Sequence, residues 1–565
     1  MRMELTHIDE LSHAHYEPGV PFEIPTPQRS VFELLEHTSH AYPNAVAIDY
    51  FGQEWTYARV YREALKAANV LHRMGVKRGD TISIALPNCP QHFIAFYGAM
   101  RLGAAVAELN PLAPAAQLEQ QIGRHDGTIC VAWDKIGHKM RKAGISAHQL
   151  LTVDLTYAMP RKMRLGLALP VDKAAQAKRK LTGPVPVGSK SWDKLVHKSG
   201  PVPDALQQAE AQNVAVILHS SGTNGVPKSV PLTHANIRAN VNQNLFWVYE
   251  LDRGAETFYS LLPYFHAFGM TFMLCAAVAI GACQIVLPTF DVQMALKAHR
   301  HRNVTFFVGV PPMFDRIERG ARESGTDIST IKYSISGGMS LNREIAARWE
   351  ATTGHYIIEG YGMSETCPTL CGSPLSPARR PGCLGLVFPS TSMRLVDLDD
   401  PTRDVPDGEP GEILVKGPQV FSGYLEDPEE TEHAFVDGWF RTGDIGRCDD
   451  GFIYLVDRAK DLIITSGFNV FPSQVEDAIR RLTNAEDAVV VGVPSAATGE
   501  EVAAIVKAKW AKPDLARLRR TLEAELPHYA LPRHLILSDE LPKTMLGKPD
   551  RRTARKNLLE QMRAQ

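Results

Sequence analysis

The stretch around residue 220 constrains this chain more than any other. Val214-Ala215-Val216-Ile217-Leu218 is apolar and partly β-branched, as a buried strand would be, and it runs straight into His219-Ser220-Ser221-Gly222-Thr223-Asn224-Gly225-Val226-Pro227-Lys228-Ser229. The polar run therefore belongs on the turn that leaves a strand end. Its glycines let backbone N–H groups approach an anion with no Cβ in the way. Ser220, Ser221 and Thr223 add hydroxyl donors, and Lys228 adds a mobile positive charge suited to a polyphosphate. No Gly-Lys-Ser/Thr triplet opens a helix here, which argues against a Walker A loop. Composition alone suits a Ser/Gly-rich surface turn equally well.

Strand-like and helix-like segments alternate elsewhere too. Thr81-Ile82-Ser83-Ile84-Ala85-Leu86 reads as a strand, residues 91–101 as an apolar-rich helix, and Ala104-Ala105-Val106-Ala107 as the next strand. This βαβ syntax predicts an α/β fold with layered parallel sheets flanked by helices. At 565 residues the chain is long enough for several packed lobes. Near residue 460 a charged run, Asp457-Arg458-Ala459-Lys460-Asp461, follows the strand-like Phe452-Ile453-Tyr454-Leu455. Beyond it, strand-like residues 488–491 and 502–506 and an amphipathic helix over 515–526 predict a compact α+β domain of about 100 residues. The charged run reads as a domain boundary, and by composition equally as a solvated loop.

Three further islands share the chemistry of the first. Glu359-Gly360-Tyr361-Gly362-Met363-Ser364-Glu365-Thr366 sets an aromatic ring between two glycines, fit to stack on a base, with a carboxylate close behind that suits a metal. Trp439-Phe440-Arg441-Thr442-Gly443-Asp444 ends in an Asp that can accept both hydroxyls of a ribose. Leu541-Pro542-Lys543-Thr544-Met545-Leu546-Gly547-Lys548 presents a lysine after a flexible glycine. In this order and at this separation, the four islands resemble the adenylate-forming superfamily of acyl-CoA synthetases, luciferases and peptide-synthetase adenylation domains. The match runs from Trp55-Thr56-Tyr57 to Lys548. Within the superfamily, Leu262-Pro263-Tyr264-Phe265-His266-Ala267-Phe268-Gly269 and the long N-terminal lobe resemble fatty-acid and related acyl-CoA ligases.

The resemblance implies a large multi-lobed N-terminal domain of layered sheets and helices over 1–457, a hinge at 458–460 with Lys460 at the hinge position, and a small mobile α+β C-terminal domain over 461–565. It implies ATP- and Mg2+-dependent activation of a medium- to long-chain fatty acid through acyl-AMP, then transfer to CoA with release of AMP and pyrophosphate. Cations are needed because the acid carboxylate must meet the α-phosphate, and two anions ~4 Å apart repel by several kcal/mol at an intermediate dielectric. In that scheme Glu365, with Thr223, would hold Mg2+. Lys228 and the hydroxyls of Ser221 and Thr223 would cradle the β- and γ-phosphates, within a loop completed by Ser220, Gly222, Asn224 and Gly225. Lys548 would bridge the carboxylate and the α-phosphate.

The nucleotide would be bounded by Ser336, Gly337, Gly338, Gly360, Tyr361, Gly362 and Ser364, with Asp444 and Arg458 at the ribose. Phe265 and His266 would gate the acyl site, lined by Val308, Gly309, Met339 and Met363, and Ser466, Gly467 and Phe468 would approach the pantetheine arm of CoA. Plainer roles stay open for several of these: a packed core tyrosine for Tyr361, a turn former for Asp444, a core histidine for His266 and a surface lysine for Lys548. So do two other readings of the whole, an adenylating enzyme for an aryl acid or a carrier-protein thiol, and a silent relative that binds a nucleotide or acyl ligand.

Asn224 and Ser229 stand where the family usually has threonine and glycine, Ser364 where threonine is common, and Ile464 where some relatives carry a lysine. The net charge of -2 argues against a general nucleic-acid partner, and eight scattered cysteines lack zinc-site spacing, as free thiols of a reducing cytosol would. Residues 270–288 read as a core helix followed by the strand Gln284-Ile285-Val286-Leu287 rather than a membrane span, and no secretory signal is visible. The expected setting is cytoplasmic, with monomer or homodimer left open. Residues 160–200 are strongly basic, with Met163, Leu165, Leu167 and Leu169 interleaved; they suit either a solvated excursion or peripheral contact with the inner face of an anionic membrane.

Overall fold

The computed structural model describes residues 5–125, 127–206, 209–220, 228–465, 468–495, 498–509, 514–543 and 549–564. The chain divides into two compact units, one made of Met1–Leu5, Asp9–Ser392 and Lys416–Ala434, the other of Thr6–Ile8, Met393–Val415 and Phe435–Gln565.

Two large sheets organise the first unit. In the seven-stranded sheet, Thr81–Ala85 lies parallel between Ala105–Glu108 and Gly127–Trp133, and Val214–Ser220 adds parallel to Ala105–Glu108. Lys228–Thr233 then folds back antiparallel on Val214–Ser220, pairing Ser220 with Lys228. The strand end expected before the phosphate-like run is therefore present, and Lys228 opens the return strand. The nine-stranded sheet is parallel from Val46–Tyr50 through Cys283–Val286, Thr257–Ser260, Phe306–Gly309 and Tyr333–Gly337 to Ile357–Gly362, with antiparallel strands at its edges. Parallel strands covered on both faces need near-continuous apolar runs, which Phe306-Phe307-Val308 and Ile335 and Ile357-Ile358 supply.

The helix Pro90–Leu102 is buried at all 13 of its residues, which explains its lack of a polar face. The core helix expected from residue 270 starts three residues earlier, forming as Ala267–Gly269, Met270–Ala276 and Ala277–Ala279, with the middle segment in the wider π register and wholly buried. The strand Cys283–Val286 follows it into the nine-stranded sheet. The basic stretch forms three short helices, Arg161–Leu167, which buries no residue, Asp172–Leu181 and Trp192–Lys198. Among the described residues no helix is long and apolar enough to cross a membrane. All eight cysteines are buried and free.

The second unit contains a sheet built from Ser392–Val396, Gly411–Lys416, Trp439–Asp449, Phe435–Val436 and Phe452–Arg458, and an α+β layer built on the hairpin Asp487–Ser495/Gly499–Lys507. Alternation along that hairpin sorts its two faces. Ala488, Val490, Val502, Ala504 and Val506 pack with Val475, Ile479, Leu518 and Leu522, whereas Val489, Val491, Ala503 and Ile505 pack with Ala554 and Leu558. The strand Phe452–Arg458 runs two residues into the charged run, and a 3-10 turn at Ala459–Asp461 ends it. Arg551 gathers the surrounding acids. Its guanidinium lies 2.8 Å from Glu476, 3.1 Å from Asp461 and 3.6 Å from Asp457, and it donates to Ser473 Oγ at 2.8 Å.

Candidate active site

In the first unit, the glycine-rich residues meet because Tyr333–Gly337 and Ile357–Gly362 are neighbouring parallel strands, with Ser336 opposite Glu359 and Gly337 opposite Gly360. Their ends border a pocket of about 610 Å3, counting the solvent in its open mouth. Gly337, Gly338, Gly360, Tyr361, Gly362 and Met363 line it, and His266, Phe268 and Phe272 supply another wall.

The glycines serve packing as much as ligand clearance. A Cβ on Gly362 would lie 1.6 Å from the Pro368 carbonyl oxygen, and one on Gly337 would lie 2.9 Å from the Phe268 ring. Gly338 holds a left-handed φ of 76°, whereas a Cβ on Gly360 would meet nothing closer than 3.7 Å. Ser336 is buried, and its hydroxyl has no hydrogen-bond partner among the described residues. Of the expected acyl-site residues, His266 and Met363 line this pocket; Phe265, Val308, Gly309 and Met339 do not. Val308 and Gly309 instead sit buried inside the nine-stranded sheet.

A carboxylate also borders the pocket. Glu359 accepts backbone N–H groups from Gly382 at 2.8 Å and Leu341 at 3.3 Å, and burial raises its pKa despite these bonds. It ties together two loops flanking the strand end. Sequence reasoning placed it inside an island and assigned it no role.

Lys228 and Glu365 are joined through residues that sequence reasoning missed. Lys228 Nζ lies 2.5 Å from Glu430 Oε2 and 4.7 Å from the centroid of the Tyr424 ring. The Tyr424 hydroxyl donates to Glu365 Oε1 at 3.1 Å, and burial, with Glu365 adding to it, raises the Tyr424 pKa. Glu365 sits buried in the 3-10 turn Ser364–Thr366, directly after Met363, and its carbonyl accepts the Phe421 N–H at 2.9 Å. One aromatic ring therefore spans the cation and the carboxylate. Nothing in the residues around Tyr424 marked it for this place. On the strand beside the return strand, opposite Ser229, burial and the nearby His125 lower the His219 pKa to about 3, so His219 is neutral at pH 7, 3.3 Å from the Ser229 hydroxyl.

The second unit places Asp444 opposite Arg458 across the hairpin Trp439–Asp449/Phe452–Arg458, with Arg458 Nε 3.3 Å from Asp444 Oδ1. Lys460 is exposed on the 3-10 turn. Phe468, half exposed, stacks on Tyr529 with ring centroids 4.5 Å apart. Ser221, Gly222, Thr223, Asn224, Gly225, Ser466, Gly467 and Lys548, and the side chain of Ser220, lie outside the described residues.

Residues 35–425 match the AMP-binding enzyme family and residues 474–548 match the AMP-binding enzyme C-terminal domain. A long-chain-fatty-acid–CoA ligase of Bacillus subtilis (strain 168) is 32% identical over 563 residues, spanning 97% of each chain. One of Salmonella typhimurium is 32% identical over 562 residues, spanning 96% of this chain and 97% of that protein. Among solved structures, ATP-bound MatB from Rhodopseudomonas palustris superposes with a TM-score of 0.76 at 27% identity, covering 93% of this chain and 98% of that one. The mixed α/β architecture, the strand-borne glycine pocket and two full-length relatives agree. The chain belongs to the AMP-binding enzyme family, among its adenylate-forming acyl-CoA ligases.

Proposed function

We propose that this protein joins a medium- to long-chain fatty acid to CoA, using ATP and passing through acyl-AMP. The observation that carries the reading is the Lys228–Tyr424–Glu365 arrangement, in which one ring holds a cation on its face and a buried carboxylate on its hydroxyl, the carboxylate two residues after Met363 of the pocket wall. In this reading the described His266, Phe268 and Phe272 receive the acid, and the Tyr361 face receives the adenine. Lys228 exchanges Glu430 for the nucleotide phosphates, and Asp444, held by Arg458, accepts the ribose hydroxyls. Carboxylate and hydroxyl oxygens suit Mg2+, which takes hard oxygen ligands, so Glu365 with Thr223 would hold it; when bound it neutralises phosphate charge. Lys548 would draw the acid carboxylate and α-phosphate together. The domain boundary at 457 and 461 and the hinge at Lys460 belong to the same proposal. So does delivery of CoA past Ser466, Gly467 and Phe468.

The test is AMP release with ATP, Mg2+ and CoA across acids from acetate to oleate and several aryl acids. Turnover peaking at long aliphatic acids and vanishing without CoA is expected. Pyrophosphate release with no CoA dependence for any acid would replace the reading with an adenylating enzyme serving another thiol.

The basic stretch fits an anionic bilayer. Lys162 and Arg164 are exposed beside Leu165, Leu169 and Val171, which are 71%, 58% and 54% exposed. Apolar side chains inserted among lipid-facing cations give the two attractions that hold a peripheral protein. Each basic residue near such a surface contributes about 1 kcal/mol, so the pair Lys162→Glu/Arg164→Glu is expected to cut partition onto phosphatidylglycerol vesicles by about tenfold or more. Sedimentation with vesicles reads this, and equal partition of both proteins onto anionic and neutral vesicles would remove the proposal.

A further inference from the structure

We infer that Asn88 is a positioning residue for the acid site, a buried amide that fixes the segment carrying His266. This rests on the reading that the pocket beside His266 receives the acid. Residues 261–266 link the strand Thr257–Ser260 to the helical turn Ala267–Gly269. Leu262 and Tyr264 in that link are buried, so their backbone groups need partners inside the protein.

Asn88, 3% exposed and far away in sequence, supplies them. Its Nδ2 donates to the Leu262 carbonyl at 2.7 Å and the Ser260 carbonyl at 3.2 Å, and its Oδ1 accepts the Tyr264 N–H at 3.0 Å. Both donors and the acceptor are engaged, and partners of both kinds fix which end of the amide is oxygen. The support beneath it is rigid, since Asn88 lies between the buried strand Thr81–Ala85 and the wholly buried helix Pro90–Leu102.

The clamp reaches the pocket by direct contacts. Pro263, between the two clamped residues, accepts the His266 N–H at 3.2 Å, and the His266 carbonyl accepts the Met270 N–H at 2.9 Å. A Cβ on Gly269 would lie 2.1 Å from the Pro263 carbonyl oxygen, so the helix start has no room to move independently of the link. His266 Nδ1 in turn accepts the Phe268 N–H at 3.3 Å, and both residues line the pocket. A second layer holds Tyr264 from its ring side: its hydroxyl meets Ser260 Oγ at 2.7 Å, and the His92 ring lies edge-on at 5.2 Å, itself 3.0 Å from Glu108. Asn88 touches neither the pocket nor, in the proposed reaction, any reacting atom. Its effect must pass through the position of His266 and Phe268.

The experiment uses the full-length protein and Asn88→Asp, which keeps size and acceptor but loses both donors, with Asn88→Ser as a second variant should the first not fold. Acid KM at saturating ATP, ATP KM at saturating acid, and hydrogen exchange of the peptide spanning 260–266 are measured for each. Displacement of the wall predicts an acid KM raised about ten- to hundredfold, since small misplacements at a site carry losses of that size. It predicts an ATP KM within about twofold of the original and faster exchange in 260–266, because the lost bonds anchor that peptide only. Acid and ATP KM rising by the same factor, or acid KM unchanged while exchange quickens, would overturn the assignment. Exchange is read without any acid, so the clamp is tested even if the parent protein turns over none of the acids offered; that outcome would sink the fatty-acid reading instead.

Discussion

Lys548→Ala is expected to slow acid-dependent exchange of pyrophosphate into ATP by about 10²–10³-fold, the usual loss when a preorganised charge partner of a transition state is removed. Thioester formation from supplied acyl-AMP and CoA should stay within a few-fold of the parent rate. The asymmetry follows from charge. Adenylation brings a carboxylate against a phosphate, and the transition state concentrates negative charge where a lysine would sit, whereas a thiol attacking a mixed anhydride meets no such pair of anions. The flanks of this lysine are well anchored. Lys543 bridges to Pro549, Asp550 N–H donates to the Pro542 carbonyl at 2.9 Å, and Arg551, three residues after Lys548, is tied to Glu476, Asp461 and Ser473. Removing the ammonium should therefore leave the second unit folded, which thermal unfolding of the variant would check. Loss of both half-reactions to the same degree would show that Lys548 serves the fold or both steps, and the assigned role would fall.

Local patterns made much of this architecture legible. The apolar runs at 81–86, 104–107 and 214–218 appear as mutually parallel strands of one sheet, and the alternation at 488–491 and 502–506 appears as a hairpin with two covered faces. Periodicity reports which face a residue shows, and these segments obey it. The strand Phe452–Arg458 was harder, because its last residues are charged and are held there by partners across the hairpin and from Arg551. The candidate site was legible only where its residues cluster in sequence. Tyr361 and its glycines form one island and reach one pocket, yet Val308, Gly309 and Met339 suggested an acyl lining by size and softness alone and do not line that pocket. Tyr424 and Glu430 sit about 200 positions from Lys228, and Asn88 some 175 from the link it clamps. No periodicity encodes such meetings, since they depend on how whole strands and helices are laid beside one another.

The second large effect is expected at Glu365. Glu365→Gln keeps the volume and an oxygen able to accept the Tyr424 hydroxyl, and leaves the Phe421 N–H bonded to the backbone carbonyl. It removes only the negative charge. If that charge holds Mg2+ against the phosphates, kcat/KM should fall about 10²–10³-fold and the Mg2+ concentration needed for half-maximal rate should rise. Tyr424→Phe offers the contrast, for it deletes one hydrogen bond to Glu365 while keeping the ring against Lys228, and a loss of about tenfold or less is expected. The buried position of Glu365 sharpens the comparison, because a carboxylate held in low dielectric next to a raised-pKa phenol acts on a cation more strongly than one in water. Rates measured over a Mg2+ series for the parent and both variants decide the matter. A Glu365→Gln variant that turns over at the parent rate with the parent Mg2+ requirement would show that the carboxylate is structural, and the cation would have to be held elsewhere.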